Sequence, residues 1–359
     1  MIEDVFSSGE PAWVRGACAD YQTDPVVQLS SVRVRRNIEG FPFPARCAKS
    51  QLFDSAAEAL RSLGKSPVWE DCDFRLIDNL DDLSRHLLLE MNMVTPKLMK
   101  GGAGRFLLRD YAGKTTCMIN EEDHISIIST YPGLDLKSAL KTVSDMERSL
   151  NIKLARDVVL GYLTANPAYV GTGTTATVIL HLPALDAAGD VSRVSGSLQR
   201  DWNSVELERF LPFDNEACGS FYALSNRITL SVTQEEIARN VSQAAATLVS
   251  RELFSRHKLK LSSGGELNDR FRRAWELLRN AKRLTFAEAV NAFSFVKLGA
   301  DIGILPKIND SEWRRMIIRC QRYHMSKGRD GAVMEQSEEP FARAAMFRRF
   351  IDGLSSADN

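Results

Sequence analysis

Two apolar runs, Cys117-Met118-Ile119 and Ile125-Ser126-Ile127-Ile128, flank the polar stretch Asn120-Glu121-Glu122-Asp123-His124. Runs this short and this closely spaced predict a strand, a polar turn and a returning strand. The turn sets three carboxylates and a histidine side by side. Adjacent carboxylates repel one another, which is costly unless cations or hydrogen bonds offset it. Two readings stay open on spacing alone: a solvated acidic turn, the usual fate of a charge run, and a functional site.

The rest of the chain splits into a mixed part and a helical part. Residues 1–25 read as irregular, with Gly9, Pro11 and Pro25 as breakers. Val26 to Arg36 alternates, so Val27, Leu29, Ser31, Arg33 and Arg35 share one face of a strand. Helical spacing follows around Ala56, Leu60 and Leu63, and again from Leu83 to Met93, ending before Pro96. Strand signals return at Arg105–Arg109 and Thr115–Ile119. Leu136, Leu140, Val143, Met146 and Leu150 form an amphipathic helical stripe. Val158–Thr164, Thr177–Leu182 and Phe221–Leu230 read as strands, and Leu185–Leu198 as a weakly patterned helix. Thr233 with Glu236, and Thr285 with Glu288, predict capping boxes at two helix starts. Ser262-Ser263-Gly264-Gly265 is the best linker, and almost everything beyond it is helical. Val290, Phe293, Val296 and Leu298 are more apolar than a solvated helix needs, which predicts a dimer built by the tail.

Composition narrows the class. The 359 residues are 44% hydrophobic and carry 46 basic against 46 acidic side chains, which suits a soluble globular protein with no electrostatic pull toward nucleic acid or anionic membrane. The six cysteines include no C-x-x-C pair, so a reduced cytoplasmic protein without a zinc site is expected. Met1-Ile2-Glu3-Asp4-Val5 has no signal-peptide pattern. No apolar run reaches the roughly 18 residues of a membrane span.

Four further stretches carry chemistry. Ser30 to Asn37 lines arginines along a strand, suited to phosphate because a guanidinium pairs two oxygens at once; the alternative is a charged edge strand. Gly161 to Pro167 and Gly171 to Thr175 form a Gly/Thr loop whose N–H groups can approach phosphate, although no G-K-[ST] follows. Glu216-Ala217-Cys218-Gly219-Ser220 offers a second carboxylate, or an exposed loop residue. The basic tract Arg314, Arg315, Arg319, Arg322, Lys327 and Arg329 is either a nucleic-acid surface or a solvated helix face, with zero net charge favouring the second.

Together these stretches resemble the ATP:guanidino phosphotransferase family, which includes arginine and creatine kinases, and within it the protein-arginine kinase (McsB) branch. The lines that carry the resemblance are Arg33-Val-Arg-Arg-Asn-Ile-Glu-Gly-Phe-Pro-Phe-Pro44, Asn120-Glu-Glu-Asp-His124, Gly161-Tyr-Leu-Thr164, Val170-Gly-Thr-Gly173, His181-Leu-Pro-Ala-Leu185 and Leu224-Ser-Asn226. They occur in family order over residues 26 to 255, and the tail matches more loosely. The resemblance implies an α+β fold: a glutamine-synthetase-like catalytic domain (1–261) with an antiparallel sheet flanked by helices, and a helical dimerisation domain (266–359).

The family's chemistry is in-line attack of a guanidinium nitrogen on the γ-phosphate of MgATP, with two glutamates holding the guanidinium and arginines neutralising the triphosphate. The positions matching the two glutamates are Glu122 and Glu216. Arg33, Arg35 and Arg209 are the remaining candidates for nucleotide contact, and Arg36 occupies a family arginine position. Other family positions are changed. Ser31, Ser126 and Thr175 stand where arginines are usual, Asn92 where the branch has histidine, and Asn166 where cysteine is usual. Of the branch's phosphoarginine-binding motif in the tail, Glu339 to Ala344 keeps only Arg343-Ala344. A hydrogen bond to a charged group is worth about 1.5–3 kcal/mol. Three lost arginines would therefore weaken triphosphate binding by about three to six powers of ten. The expectation is a pseudokinase adaptor or regulator that keeps a guanidinium pocket. The alternatives are an active protein-arginine kinase with an altered or partner-completed ATP site and, third, a small-molecule arginine kinase. The implied partners are protein arginine or phosphoarginine, a zinc-finger activator of McsA type, a Clp chaperone–protease and a heat-shock repressor.

Overall fold

A computed structural model describes residues 10–16, 25–65, 67–70, 72–210, 218–261, 265–327 and 333–357. The β-branched and aliphatic runs pair into one antiparallel sheet. Its strands are β1 (Val27–Arg36), β2 (Cys72–Leu76), β3 (Phe106–Asp110), β4 (Thr115–Ile119) and β5 (Ile125–Pro132). A separate two-stranded ribbon, β6 (Arg156–Asp157) and β7 (Gly161–Tyr162), comes between. The large sheet then gains β8 (Thr174–His181), β9 (Val205–Arg209) and β10 (Phe221–Asn226). The spatial order is β2-β3-β4-β5-β1-β8-β10-β9, so β1 lies in the middle, paired with β5 on one side and β8 on the other.

The side-chain alternation of β1 divides the sheet into two unlike faces. Val32 and Val34 join Ile125, Ile127, Ala176, Val178 and Leu224 in a core covered by the helices Leu136–Arg148 and Gln234–Leu261. The opposite face changes character along the strands. At one end Leu29, Ile179 and Phe221 pack with Trp313, Phe293 and Val290 of the tail. At the other end it carries Arg33, Arg35, Ser126 and Thr175, and these make hydrogen bonds rather than apolar contacts.

Several local expectations agree with the structure. Thr233 and Glu236 exchange hydrogen bonds at 2.7 and 3.1 Å, and Thr285 and Glu288 do so at 2.8 and 3.2 Å. Val158–Thr164 is not a full strand. Asp157 Oδ1 accepts the N–H groups of both Val159 and Leu160 at 2.8 Å, which folds this stretch into a turn with Val158 and Val159 exposed. Val205–Arg209, not anticipated, is an edge strand whose Val205 and Leu207 alternate with Glu206 and Glu208.

The tail helices are Gly265–Asn280, Phe286–Asp301, Asp310–Arg319, Arg322–Ser326 and Glu339–Ala357. Val290, Phe293, Val296 and Leu298 are all 0% exposed inside this chain, Phe293 lying 4.5 Å from the Trp313 ring centroid and 5.1 Å from that of Phe347. They are core residues and give no apolar patch for a dimer, which removes the basis of that expectation. A buried ion network ties the tail to the sheet-bearing part. Arg256 pairs with Glu252 and Asp301 at 2.8 Å each, and Lys297 pairs with Asp301 and Asp310. The expected linker residues 262–264 lie outside the described residues.

Candidate functional site

The acidic corner between β4 and β5 is held from beneath. Asn120 adopts a left-handed φ of 53°, a conformation asparagine tolerates better than most residues. Its amide donates to the carbonyls of Leu52 (2.7 Å) and Gly104 (3.0 Å), and its Oδ1 accepts from Ser55 Oγ. The corner is not a solvated turn. Glu121, Asp123 and His124 are buried, and only Glu122 is partly open.

Each buried group has its own compensation. Asp123 Oδ1 accepts from Asn37 Nδ2 (2.6 Å) and from the Ala165 N–H (2.7 Å), yet burial still pushes its carboxyl up from the ordinary range. His124 Nδ1 accepts the Ile38 N–H at 3.2 Å, and burial pushes the imidazole down to about 4, so the ring is neutral at pH 7. Glu121 accepts from Arg33 Nη2 at 2.7 Å, Thr95 Oγ1 at 2.6 Å and the Glu122 N–H at 2.9 Å. Burial pushes the Glu121 carboxyl up, but the Arg33 charge and these hydrogen bonds outweigh it and the net shift is downward. Glu122 meets the Lys97 ammonium at 3.0 Å.

The β1 arginines are turned onto the protein. Besides Glu121, Arg33 donates from Nε to Ser126 Oγ at 2.6 Å. Arg35 donates from Nη1 to Thr175 Oγ1 at 2.8 Å, and its guanidinium lies 3.7 Å from the Tyr169 ring centroid. Burial, with the nearby charge of Arg33, pushes Arg35 down to about 10. Ser126 and Thr175 thus hold hydroxyls that receive the Arg33 and Arg35 guanidinium groups. Arg36 belongs to the opposite side of β1. It pairs with Glu147 at 2.6 Å, donates to the Thr172 carbonyl and stacks on Tyr162 at 3.7 Å. Ser31 lies farther along the Arg33 face, opposite Thr130 on β5 and Thr177 on β8.

Other candidate residues lie elsewhere. Arg209 ends β9, where Asp186 accepts from Arg209 Nη2 (2.6 Å), Ser220 Oγ (2.7 Å) and Tyr222 Oη (2.9 Å). Through Tyr222 and Leu180 it is level with a point five residues along β8 from Thr175, about 17 Å at the usual strand rise. Asn92 borders a small cavity of about 40 Å³ with Trp13, Leu29 and Phe210, level with the tail rather than with Arg33. Asn166 caps the turn after it, accepting the Ala168 N–H at 3.0 Å. Glu216 lies outside the described residues, as do the other positions of 211–217.

In the tail, Arg343 is buried and donates to the carbonyls of Cys320 (2.7 Å) and Leu284 (3.0 Å), which occupies it structurally. The basic tract is neither an open nucleic-acid surface nor a plain solvated face. Arg314 is buried and donates to the Gly16 carbonyl, Arg315 and Arg319 pair with Glu10, and Arg322 pairs with Glu339. Arg329 lies outside the described residues.

Thr95, Lys97 and Tyr169 belong to the site by contact and were not legible as such. Pro96 marked only a helix stop, and nothing local reports that its neighbours reach two glutamates some 25 positions on. Among the described residues no group of three or more His, Cys, Asp or Glu side chains gathers as a metal site, and no helix is long and apolar enough to cross a membrane.

A sheet of this order, an acidic hairpin corner and an arginine-bearing central strand define a class. Residues 57–254 match the family described as "ATP:guanido phosphotransferase, C-terminal catalytic domain", and residues 264–359 match "Protein-arginine kinase McsB C-terminal domain". The chain belongs to the ATP:guanido phosphotransferase family, in its protein-arginine kinase branch. The protein-arginine kinase of Halothermothrix orenii is 28% identical over 352 residues, covering 97% of this chain and 98% of that protein. That of Moorella thermoacetica is 30% identical over 348 residues, covering 95% and 97%. Among solved structures, lombricine kinase superposes with a TM-score of 0.56 at 18% identity, over 73% of this chain and 74% of its own. The substrate-free duplicated taurocyamine kinase of Schistosoma mansoni gives 0.57 at 17% identity, over 81% and 48%. These two likenesses concern the fold alone.

Proposed function

We propose that the chain is a protein-arginine kinase homologue that keeps a carboxylate site for guanidinium and has lost most of its grip on the triphosphate, so that it works as a pseudokinase adaptor or regulator. The observation that carries this reading is the inward pairing of Arg33 and Arg35. Arg33 is engaged by Glu121 and Ser126, and Arg35 by Thr175 and Tyr169. A transferring phosphoryl group needs cations directed at it. Ser and Thr hydroxyls at 31, 126 and 175 donate one hydrogen bond each and carry no charge. The described residues around Arg33 and Arg35 therefore fit MgATP poorly.

On the acceptor side, Glu122 is partly open to solvent and met by the Lys97 ammonium, and Glu216 is its expected counterpart. The ligand would be a protein arginine or phosphoarginine. Partners of the kind implied by the branch, a zinc-finger activator of McsA type, a Clp chaperone–protease and a heat-shock repressor, would read or deliver it in the cytoplasm. The catalytic-type unit would span residues 1–261 and the helical unit 266–359. The second reading, an active kinase whose ATP site a partner completes, is favoured by the retained corner Asn120–His124. Phosphorylation assays with MgATP and an arginine-containing protein, with and without a zinc-finger partner, separate the two. Activity of the chain alone refutes the pseudokinase reading, and activity only with the partner selects the second.

A further inference from the structure

The two glutamates of the corner are both held by cations of the same chain, but in unlike ways. Arg33 reaches Glu121 from a buried strand, and Thr95 and the Glu122 N–H share that carboxylate. Lys97 reaches Glu122 from a half-exposed position through one contact of 3.0 Å. The backbone of Lys97 is fixed, whereas its half-exposed side chain is held at its end by the Glu122 contact. Thr95, one residue before Pro96, accepts the Leu98 N–H and donates to Glu121, and Arg105 Nη1 donates to the Lys97 carbonyl at 2.6 Å. A tethered ammonium in that geometry has a high effective concentration at Glu122. It is nevertheless a point charge with one contact, whereas a guanidinium offers a carboxylate two parallel N–H···O bonds.

We propose that the Lys97 ammonium is an internal competitor seated on Glu122, which an incoming guanidinium displaces when it binds. The proposal rests on the reading of Glu122 as a guanidinium-holding carboxylate. Exposed ion pairs of this kind contribute little, so the competition weakens ligand binding by about 1.5- to 5-fold. A competitor of this type acts on every cationic ligand by the same factor. It sets a threshold for occupancy and leaves the preference between arginine and lysine unchanged.

The test uses the full chain, the peptides acetyl-Gly-Arg-Gly-amide and acetyl-Gly-Lys-Gly-amide, and calorimetry on wild type, Lys97→Met and Glu122→Gln. Lys97→Met is expected to tighten the arginine peptide by about 1.5- to 5-fold with the arginine-to-lysine ratio unchanged, and Glu122→Gln to abolish binding. A carbodiimide that joins only touching amine and carboxylate groups is expected to link Lys97 to Glu122. The initial rate of linking should fall by about half at a peptide concentration equal to its dissociation constant. Unchanged or weaker binding in Lys97→Met, an altered arginine-to-lysine ratio, or a linking rate that bound peptide leaves unchanged overturns the competitor. Absence of peptide binding in both wild type and Lys97→Met overturns the guanidinium-site reading itself and the competitor with it.

Discussion

Replacing Arg33 by methionine separates a structural tie from a phosphate ligand. The Arg33 and Glu121 side chains are 16% and 3% exposed, and their contact is 2.7 Å. Removing one partner of a buried pair costs about 3–5 kcal/mol. Thr95 and the Glu122 N–H still serve Glu121, so the low end, about 3 kcal/mol, is expected. That corresponds to a melting midpoint lower by roughly 4 °C in a chain of this size. The pH dependence fixes the cause. Glu121 has a folded value below its ordinary 4.5, so its stabilisation is present above that value and lost as pH falls through the depressed folded one. In Arg33→Met burial is no longer opposed by that charge, and the deficit relative to wild type should be largest at pH 7 and shrink toward pH 3. Scanning calorimetry across that range measures it. A variant within about 1 kcal/mol of wild type at pH 7, or a deficit that grows in acid, refutes the argument, since such values belong to surface changes.

Two further outcomes follow from the same contacts. Phe293→Ala should destabilise the chain by about 3–5 kcal/mol as a core truncation and leave its sedimentation coefficient unchanged; a shift in oligomeric state instead would return Phe293 to an interface. Arginine introduced together at Ser31, Ser126 and Thr175 should tighten MgATP binding at least about tenfold, because each new charge–phosphate bond is worth about 1.5–3 kcal/mol and part is spent moving Arg33 and Arg35 off their present partners. Calorimetry with MgATP reads this, and no gain over wild type would mean that charge is not what the site lacks.

Much of the fold was legible where local pattern and tertiary demand agree. The apolar runs around Asn120–His124 had to pair as a hairpin, and the alternation of β1 already separated Arg33 and Arg35 from Val32 and Val34. The turn at Val158–Leu160 was not legible, because three apolar residues in a row read as strand until Asp157 is seen to take the N–H groups of Val159 and Leu160. Periodicity also could not tell a buried stripe from an interface stripe, so Val290, Phe293, Val296 and Leu298 read as a dimer face when they fill this chain's own core. Within the candidate site, the family resemblance singled out Glu122, Arg33 and Arg35, but their partners are set by register and by a distant helix start. Ser126 and Thr175 looked like plain losses, and only the pairing of β1 with β5 and β8 makes them the acceptors for Arg33 and Arg35.

The central claim is that this site favours the guanidinium over the nucleotide. Isothermal titration of the unmodified full chain with MgATP and, separately, with an arginine-bearing peptide tests it most directly. The account predicts heat of binding for the peptide, lost in Glu122→Gln, and no saturable MgATP binding below about millimolar concentration, as expected when three charge–phosphate bonds are missing. Low-micromolar MgATP binding by the chain alone would contradict it.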